Sequence, residues 1–585
     1  MIEDLVVGLA GSGGDGVVSA GESLLAAASS QGFHALMTKS FGSQIRGGES
    51  SCRVRLSTRK VLNPGGILDV AVALNWEDFR RFGAELPIGP ETVLIHEAKA
   101  GPPPPDLAPP QKMPREVISV PLAELAKSAA GTDRAKTTVV LGALSGWFGV
   151  PREALERGLQ KKFARKGEGL LEANRKALAS GISFATEHPL AAPRELAQPA
   201  AVSPKMLCDG NEMCAAAAIF SGCEFFGGYP ITPSTEVMQI LSRELPRYGG
   251  VVLQAEDEIS GVGATVGASF AGKKSMTATS GPGMSLKTEM LGLASIAELP
   301  LVLLNVQRGG PSTGIPTKPE QADLFQAAFS AHGDVLRPVL APTTVEDTFG
   351  VTVEAFNLAE RYQTPVVILS DQEIAQRKET VDPIDVSRFE VVERVRPTPE
   401  QLAGGYQRFA ATPSGVSPLT HPGMEGGNYL AAGIEHDLKG APTASGAIHA
   451  AMNEKRFRKL APLQERSDLF EGLGPPDAPL ALVSWGSSAG VAREAFLLAR
   501  LRELPVKLLI PTLLYPVAEP VYRAFFASVR AGLVLELSHQ GQLYRVLRMF
   551  LDLPAGMKSF ARSGAQPFRA DEVVEQLRSL AEGLR

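Results

Sequence analysis

Two short stretches combine hydroxyls, a cation and rigid turns in a way suited to holding an anion: "YPITPST", residues 229–235, and "QRGGPSTGIPT", residues 307–317. In the first, two prolines restrict the backbone around Ile231 and Thr232 and are expected to hold it extended. Ser234 or Thr235 is then placed to cap the helix that continues as "EVMQILSREL". In the second, Arg308 ends the apolar run "LVLLNVQ" and is followed by Ser312, Thr313 and Thr317. An arginine at the end of a buried strand is costly to leave unpaired, which favours a bound anion over an ordinary turn. A third stretch, "EDEISGVGATVGAS" (256–269), sets Glu256, Asp257 and Glu258 before a helix of small residues that a cofactor or another subunit can approach closely. Carboxylates at a helix start usually serve its dipole, yet Glu258, directly before the small-residue run, is the one set to be buried.

Near the N-terminus, "GSGGDG" (11–16) follows an apolar strand and opens a helix, so its backbone N–H groups could meet a phosphate. A dinucleotide site also needs an acidic residue at the end of the second strand, where this chain has Lys39 and Ser40. A structural glycine turn and a phosphate ligand other than NAD both stay open. The same glycines contain "GDG", half of the magnesium-diphosphate signature of thiamine enzymes, but no asparagine precedes Asn63 to complete it. In "FGSQIRGGESS" (41–51), Ser43 and Arg46 lie in a glycine-flanked loop with an anion-binding reading and a plain-turn reading of equal standing.

The elements that must position these groups alternate. "DLVVGLA", "HALMTKS", "VVLQAE", "SMTATS", "LPLVLLNVQ" and "TPVVILSD" read as strands separated by helical stretches, which means α/β with parallel sheets. Loops after such strands share the carboxyl edge, where ligands bind. A proline-rich run at 187–206 reads as an extended linker, and a second loose stretch runs from about 390 to 476. The 585 residues carry a formal charge of -5 without a long basic block, which gives no footprint for nucleic acid. The run "KRFRK" (455–459) reads as a solvated helix face. No apolar stretch reaches a membrane span and the start lacks a signal pattern, so a cytoplasmic protein is expected. The four cysteines form no C-x-x-C pair and are expected as buried side chains, with no metal site in the chain.

In their order and spacing, "YPITPST", "EDEISGVGATVGAS", "TSGPGMSL" (279–286) and "QRGGPSTGIPT" resemble the α subunit of the 2-oxoacid:ferredoxin oxidoreductases. The first 190 residues, with "GSGGDG" and "FGSQIRGGES", look like that family's γ domain fused ahead of it. The segment "GLVLELSHQGQL" (532–543) resembles its C-terminal domain. With "NYLAAGIEHDLKGAPT" and "EKRFRKL", the chain looks most like the 2-oxoglutarate:ferredoxin oxidoreductases.

The resemblance implies three doubly wound α/β domains. They are a γ-like domain over 1–190, a pyrimidine-binding thiamine-enzyme domain over 207–390 and a transketolase C-terminal-like domain over 477–585, joined by a linker over 191–206 and a connecting segment over 391–476. It implies a β subunit holding thiamine diphosphate, Mg2+ and a [4Fe–4S] cluster, an (αβ)2 assembly, coenzyme A as co-substrate and ferredoxin as electron acceptor. By motif, Glu258 would activate thiamine, with Glu256 as the alternative register. Thr232, Arg308, Ser312, Thr313 and Thr317 would bind substrate, and Gly13, Ser43 and Arg46 coenzyme A. The implied reaction is oxidative decarboxylation of 2-oxoglutarate to succinyl-CoA, reversible to carboxylation. Pyruvate or branched 2-oxoacids, and a non-catalytic nucleotide-binding scaffold, are the alternatives.

Overall fold

A computed structural model of the chain describes residues 1–42, 48–163 and 167–584. The chain divides into two compact units, one of residues 1–208 with 377–384 and one of 209–376 with 385–585.

The first unit is built on an eight-stranded sheet. Its parallel half runs Glu116–Val120, Val93–Glu97, Val70–Ala73, Asp4–Gly11. The expected strand, glycine loop, helix, strand series is present as Asp4–Gly11, Val17–Gln31 and His34–Phe41. The expected all-parallel sheet is not, because Ser50–Ser57 inserts antiparallel between those two strands, with Val7 opposite Val54 and Met37 opposite Val54 on the other side. Ser50–Ser57 can do this because it is buried almost end to end. Two short strands, Lys378–Val381 and Met206–Cys208, extend the sheet antiparallel beyond His34–Phe41. The proline-rich stretch before residue 206 lies against this unit: Leu196 is buried and its neighbour Ala197 donates to the Ile2 carbonyl at 2.8 Å.

The second unit carries two sheets. Six strands of the seven-stranded one are parallel, in the order Val339–Leu340, Pro365–Asp371, Leu301–Gln307, Ser275–Thr279, Phe225–Gly228, Val251–Gln254. Leu513–Tyr515 closes the other edge antiparallel. The five-stranded sheet runs Phe470–Leu473, Val506–Pro511, Leu480–Ser484, Ala531–Glu536, Gly556–Ala561, parallel except for its first member. The two sheets share one core, in which Val262, Leu301 and Val367 pack with Val483, Trp485 and Leu509. Buried Gln321 fastens them further, donating to the Trp485 carbonyl at 2.7 Å and accepting from Leu537 N at 2.8 Å.

The stretch 391–476 has little regular structure but is not loose. Arg394 pairs with Glu360 at 2.6 Å, and Arg408, Phe409 and Leu419 are buried. The "KRFRK" run is a correction to the sequence reading. Lys455 and Lys459, one helical turn apart, point inward and share the buried carboxylate of Glu298 at 2.6 and 3.1 Å. All four cysteines are buried. Among the described residues no helix is long and apolar enough to cross a membrane.

Candidate functional site

The catalytic candidates of the second unit gather at the carboxyl ends of its parallel strands. After Val251–Gln254 the chain turns into the helix Glu258–Phe270, and Asp257 caps it, its carboxylate accepting from Ser260 N at 2.7 Å. That use of Asp257 sorts the acidic cluster. Glu256 stays outside the helix and exposed, whereas Glu258, in the first turn, is 7% exposed. Among the described residues the Glu258 carboxylate has no hydrogen-bond or ion-pair partner, although its main-chain carbonyl accepts from Lys287 Nζ at 3.3 Å.

The carboxylate leans over the first turn of the next helix, Gly281–Ile296. A Cβ on Gly283 would stand 2.8 Å from Glu258 Oε1 and would also clash with Thr279 Oγ1. Gly283→Ala is therefore expected to push the Glu258 side chain aside. Overpacking of this kind typically costs about 1–3 kcal/mol, while turnover should fall by more than about tenfold through the misplaced carboxylate. Thermal melting and steady-state rates measured together check this; unchanged turnover would separate Gly283 from the chemistry.

Thr232 and Arg308 meet, through backbone rather than hydroxyl: the Arg308 guanidinium donates to the Thr232 carbonyl. The "YPITPST" loop is a turn, not the extended segment that its prolines suggest, because Ser234 N donates to the Ile231 carbonyl at 2.9 Å. Ser234 precedes the helix Thr235–Glu244 but does not cap it with its side chain. Its hydroxyl turns back to the Ile231 carbonyl at 3.1 Å.

Arg308 is 8% exposed and its Nε is buried without a partner among the described residues. It lines a cleft of about 630 Å³ together with Gly281, Ser312, Asp323, Ser538 and His539. Ser538 Oγ, on the same wall, is likewise buried and unsatisfied. Buried polar groups are ordinarily paired, so this wall is complementary to a polar ligand. Ser312 reaches the cleft; exposed Thr313 and half-buried Thr317 are not among the residues that line it. The loop that carries them folds back tightly: at Gly314, φ 54°, a Cβ would collide with the Gly309 carbonyl.

Two charged groups here escaped the sequence reading. Asp323 donates its N–H to Gln307 Oε1 at 3.0 Å, and its carboxylate accepts from Asn305 Nδ2 at 3.0 Å. Burial pushes that carboxyl up to about 6, helped by Glu320 and opposed by Asn305 and Arg308. Lys287, fully buried, donates to Thr277 Oγ1 at 2.9 Å; burial pushes it down to about 8 against the pull of Glu258 and Asp257. A signal for Lys287 existed, since it falls between Met284 and Leu291 on the buried stripe of its helix. None marked Asp323, which sits in an irregular segment.

In the first unit, Gly13 lies exposed in the loop that leads to the helix Val17–Gln31. The loop closes on its own acidic side chain, Asp15 accepting from Ser12 N at 2.9 Å and pairing with Lys136 at 2.7 Å. Ser43 and Arg46 lie outside the described residues. Among the described residues no group of three or more His, Cys, Asp or Glu is arranged to hold a metal ion.

Parallel strands whose carboxyl-edge loops bring together Arg308 and the buried carboxylate of Asp323 in a polar cleft define an α/β ligand-binding protein of the open-sheet type. Residues 216–454 match the family model described as pyruvate flavodoxin/ferredoxin oxidoreductase, thiamine diP-binding, and residues 6–184 match pyruvate ferredoxin/flavodoxin oxidoreductase. The chain is 37% identical to the 2-oxoglutarate synthase subunit KorA of Methanothermobacter thermautotrophicus over 63% of its own length and 96% of that protein. To the 2-oxoglutarate oxidoreductase subunit KorA of Mycobacterium tuberculosis it is 32% identical, over 86% and 80% of the two chains. A solved structure, the 2-oxoglutarate:ferredoxin oxidoreductase from Magnetococcus marinus with 2-oxoglutarate, coenzyme A and succinyl-CoA bound, superposes with a TM-score of 0.93 at 36% identity, covering 99% of this chain and 100% of that one. The chain belongs to the 2-oxoacid:ferredoxin oxidoreductase family.

Proposed function

We propose that this chain is the α-type subunit of a 2-oxoglutarate:ferredoxin oxidoreductase, which converts 2-oxoglutarate and coenzyme A to succinyl-CoA and carbon dioxide and passes the electrons to ferredoxin. The observation that carries the reading is Arg308, buried at the mouth of a polar cleft with one nitrogen unsatisfied, in a chain that matches the Magnetococcus marinus enzyme along its whole length. Relatives named as subunits support an assembly of several chains.

The residues fit the pyrimidine half of thiamine diphosphate: Glu258 offers a buried carboxylate with no protein partner among the described residues, and the missing side chain of Gly283 is what lets that carboxylate lie against the start of the next helix. When bound, thiamine diphosphate supplies the carbon nucleophile for the keto group and the electron sink for decarboxylation. Glu258 holds a proton against the aminopyrimidine ring nitrogen. Arg308 binds the substrate carboxylate, and the Thr232 carbonyl steadies the guanidinium in the correct orientation. Ser312 completes the polar rim on the side of the loop. We assign Mg2+ and a [4Fe–4S] cluster to a β subunit paired with this chain as (αβ)2. Coenzyme A is assigned to the first unit, at the Gly13 loop with Ser43 and Arg46.

Arg308→Ala is expected to raise the KM for 2-oxoglutarate by about 10–100-fold, the ordinary worth of a charge-assisted hydrogen bond. Steady-state kinetics of the purified complex with 2-oxoglutarate, pyruvate and a branched 2-oxoacid test the substrate as well. An unchanged KM removes the arginine from the substrate site.

A further inference from the structure

Asp323 lies in the same cleft as Arg308, and the reaction proposed above gives it no task. Its carboxylate faces inward. Oδ2 accepts from Asn305, a Cβ on Gly281 would lie 3.0 Å from that oxygen, and its own N–H is held by Gln307. The side chain is thus fixed between the strand Leu301–Gln307 and the start of the helix Gly281–Ile296. The charged or titratable groups that line this cleft are Arg308, Glu320, Asp323 and His539. Glu320 is committed, since its two oxygens accept from Gly310 N at 3.0 Å and Gly564 N at 2.9 Å. His539 is exposed.

Before substrate arrives, Arg308 is the cation closest in role to Asp323 and holds its proton affinity down, although burial dominates and leaves the carboxyl at about 6. A substrate carboxylate on Arg308 changes that balance. It neutralises the cation and adds a second anion to a low-dielectric wall, and two carboxylates confined together cannot both stay ionised without cost. Resting on the assignment of Arg308 to the substrate, we propose that Asp323 is a positioning residue that takes up one proton when the oxoacid carboxylate binds, so that substrate binding and protonation of this buried carboxyl are coupled.

The sign follows from linkage. Where Asp323 is already protonated, below about pH 6, affinity should not depend on pH; above it, binding must draw a proton from solvent, and affinity should fall by up to about tenfold per pH unit. The probe is 2-hydroxyglutarate, which keeps both carboxylates and lacks the reactive keto carbon. Its binding to the purified complex is measured by titration calorimetry in buffers of different ionisation enthalpy near pH 7.5. The expected result is uptake approaching one proton per ligand in the wild type and near zero in Asp323→Asn, an amide that still accepts from Asn305. That variant should bind the probe more tightly than wild type at about pH 8, with a flat pH profile.

His539→Gln should leave the uptake in place. Absence of uptake in the wild type, its survival in Asp323→Asn, or its loss in His539→Gln would each overturn the proposal. If Arg308→Ala leaves the probe's affinity unchanged, the fault lies with the substrate site itself; if it weakens binding while Asp323→Asn leaves uptake intact, only the coupling fails.

Discussion

Glu258→Gln is expected to lower turnover with every 2-oxoacid by about 10²–10⁴-fold, the usual cost of removing acid–base assistance. The carboxylate is the buried member of its cluster and has no partner among the described residues, so the amide changes protonation and not packing. An amide cannot hold and release a proton at the pyrimidine ring nitrogen as a carboxyl can. Because this task precedes substrate, the defect should appear without any oxoacid present. NMR-detected exchange of the C2 proton of bound thiamine diphosphate should slow in Glu258→Gln and stay near the wild-type rate in Arg308→Ala. Normal exchange in the Glu258 variant would transfer the role to exposed Glu256 or to another chain.

Glu298→Gln should destabilise the protein by about 3–5 kcal/mol at neutral pH, the range for removing one partner of a buried charge group. Lys455 and Lys459 both reach its carboxylate, and Arg408 donates to its main-chain carbonyl at 2.7 Å. Burial alone would raise the Glu298 carboxyl, but Lys459, Lys455 and Arg408 outweigh it and hold it at about 2. The side chain is therefore ionised at neutral pH and is the anion that two buried ammonium groups share. Glu298 also has φ 52°, a left-handed conformation that glutamine would bear equally, so the substitution isolates the charge.

A carboxyl with a depressed folded-state pKa lends stability above its unfolded value near 4.5, and that stability is lost as pH falls toward 2. Calorimetric melting should thus show a large gap between wild type and variant at about pH 7 that narrows below about pH 4. Equal stability at neutral pH would mean that the lysines are neutral or find other partners.

Much of this site was legible before any coordinates. Glu258, Thr232 and Arg308 stand beside strand ends that the apolar runs mark clearly, and strands of a parallel sheet deliver their following loops to one edge whatever their order. The helix of small residues and the cluster ahead of it narrowed the acid to two positions, of which capping by Asp257 leaves Glu258 buried and Glu256 exposed. Local pattern served because these features depend on a few consecutive residues.

What local pattern does not contain is who faces whom. Ser50–Ser57 alternates like an ordinary strand, yet its insertion between Asp4–Gly11 and His34–Phe41 converts an expected parallel sheet into a mixed one. Pairing partners are chosen by long-range burial, not by the strand itself. The basic run at 455–459 reads as a wet helix face until Glu298, more than 150 residues earlier in the chain, supplies the counter-charge that allows two lysines to be buried. Asp323 is an unremarkable loop acid in sequence. It becomes a proton-binding candidate only because folding surrounds it with Asn305, Gly281 and the Arg308 cleft, and desolvation is a property of that surrounding and not of the residue.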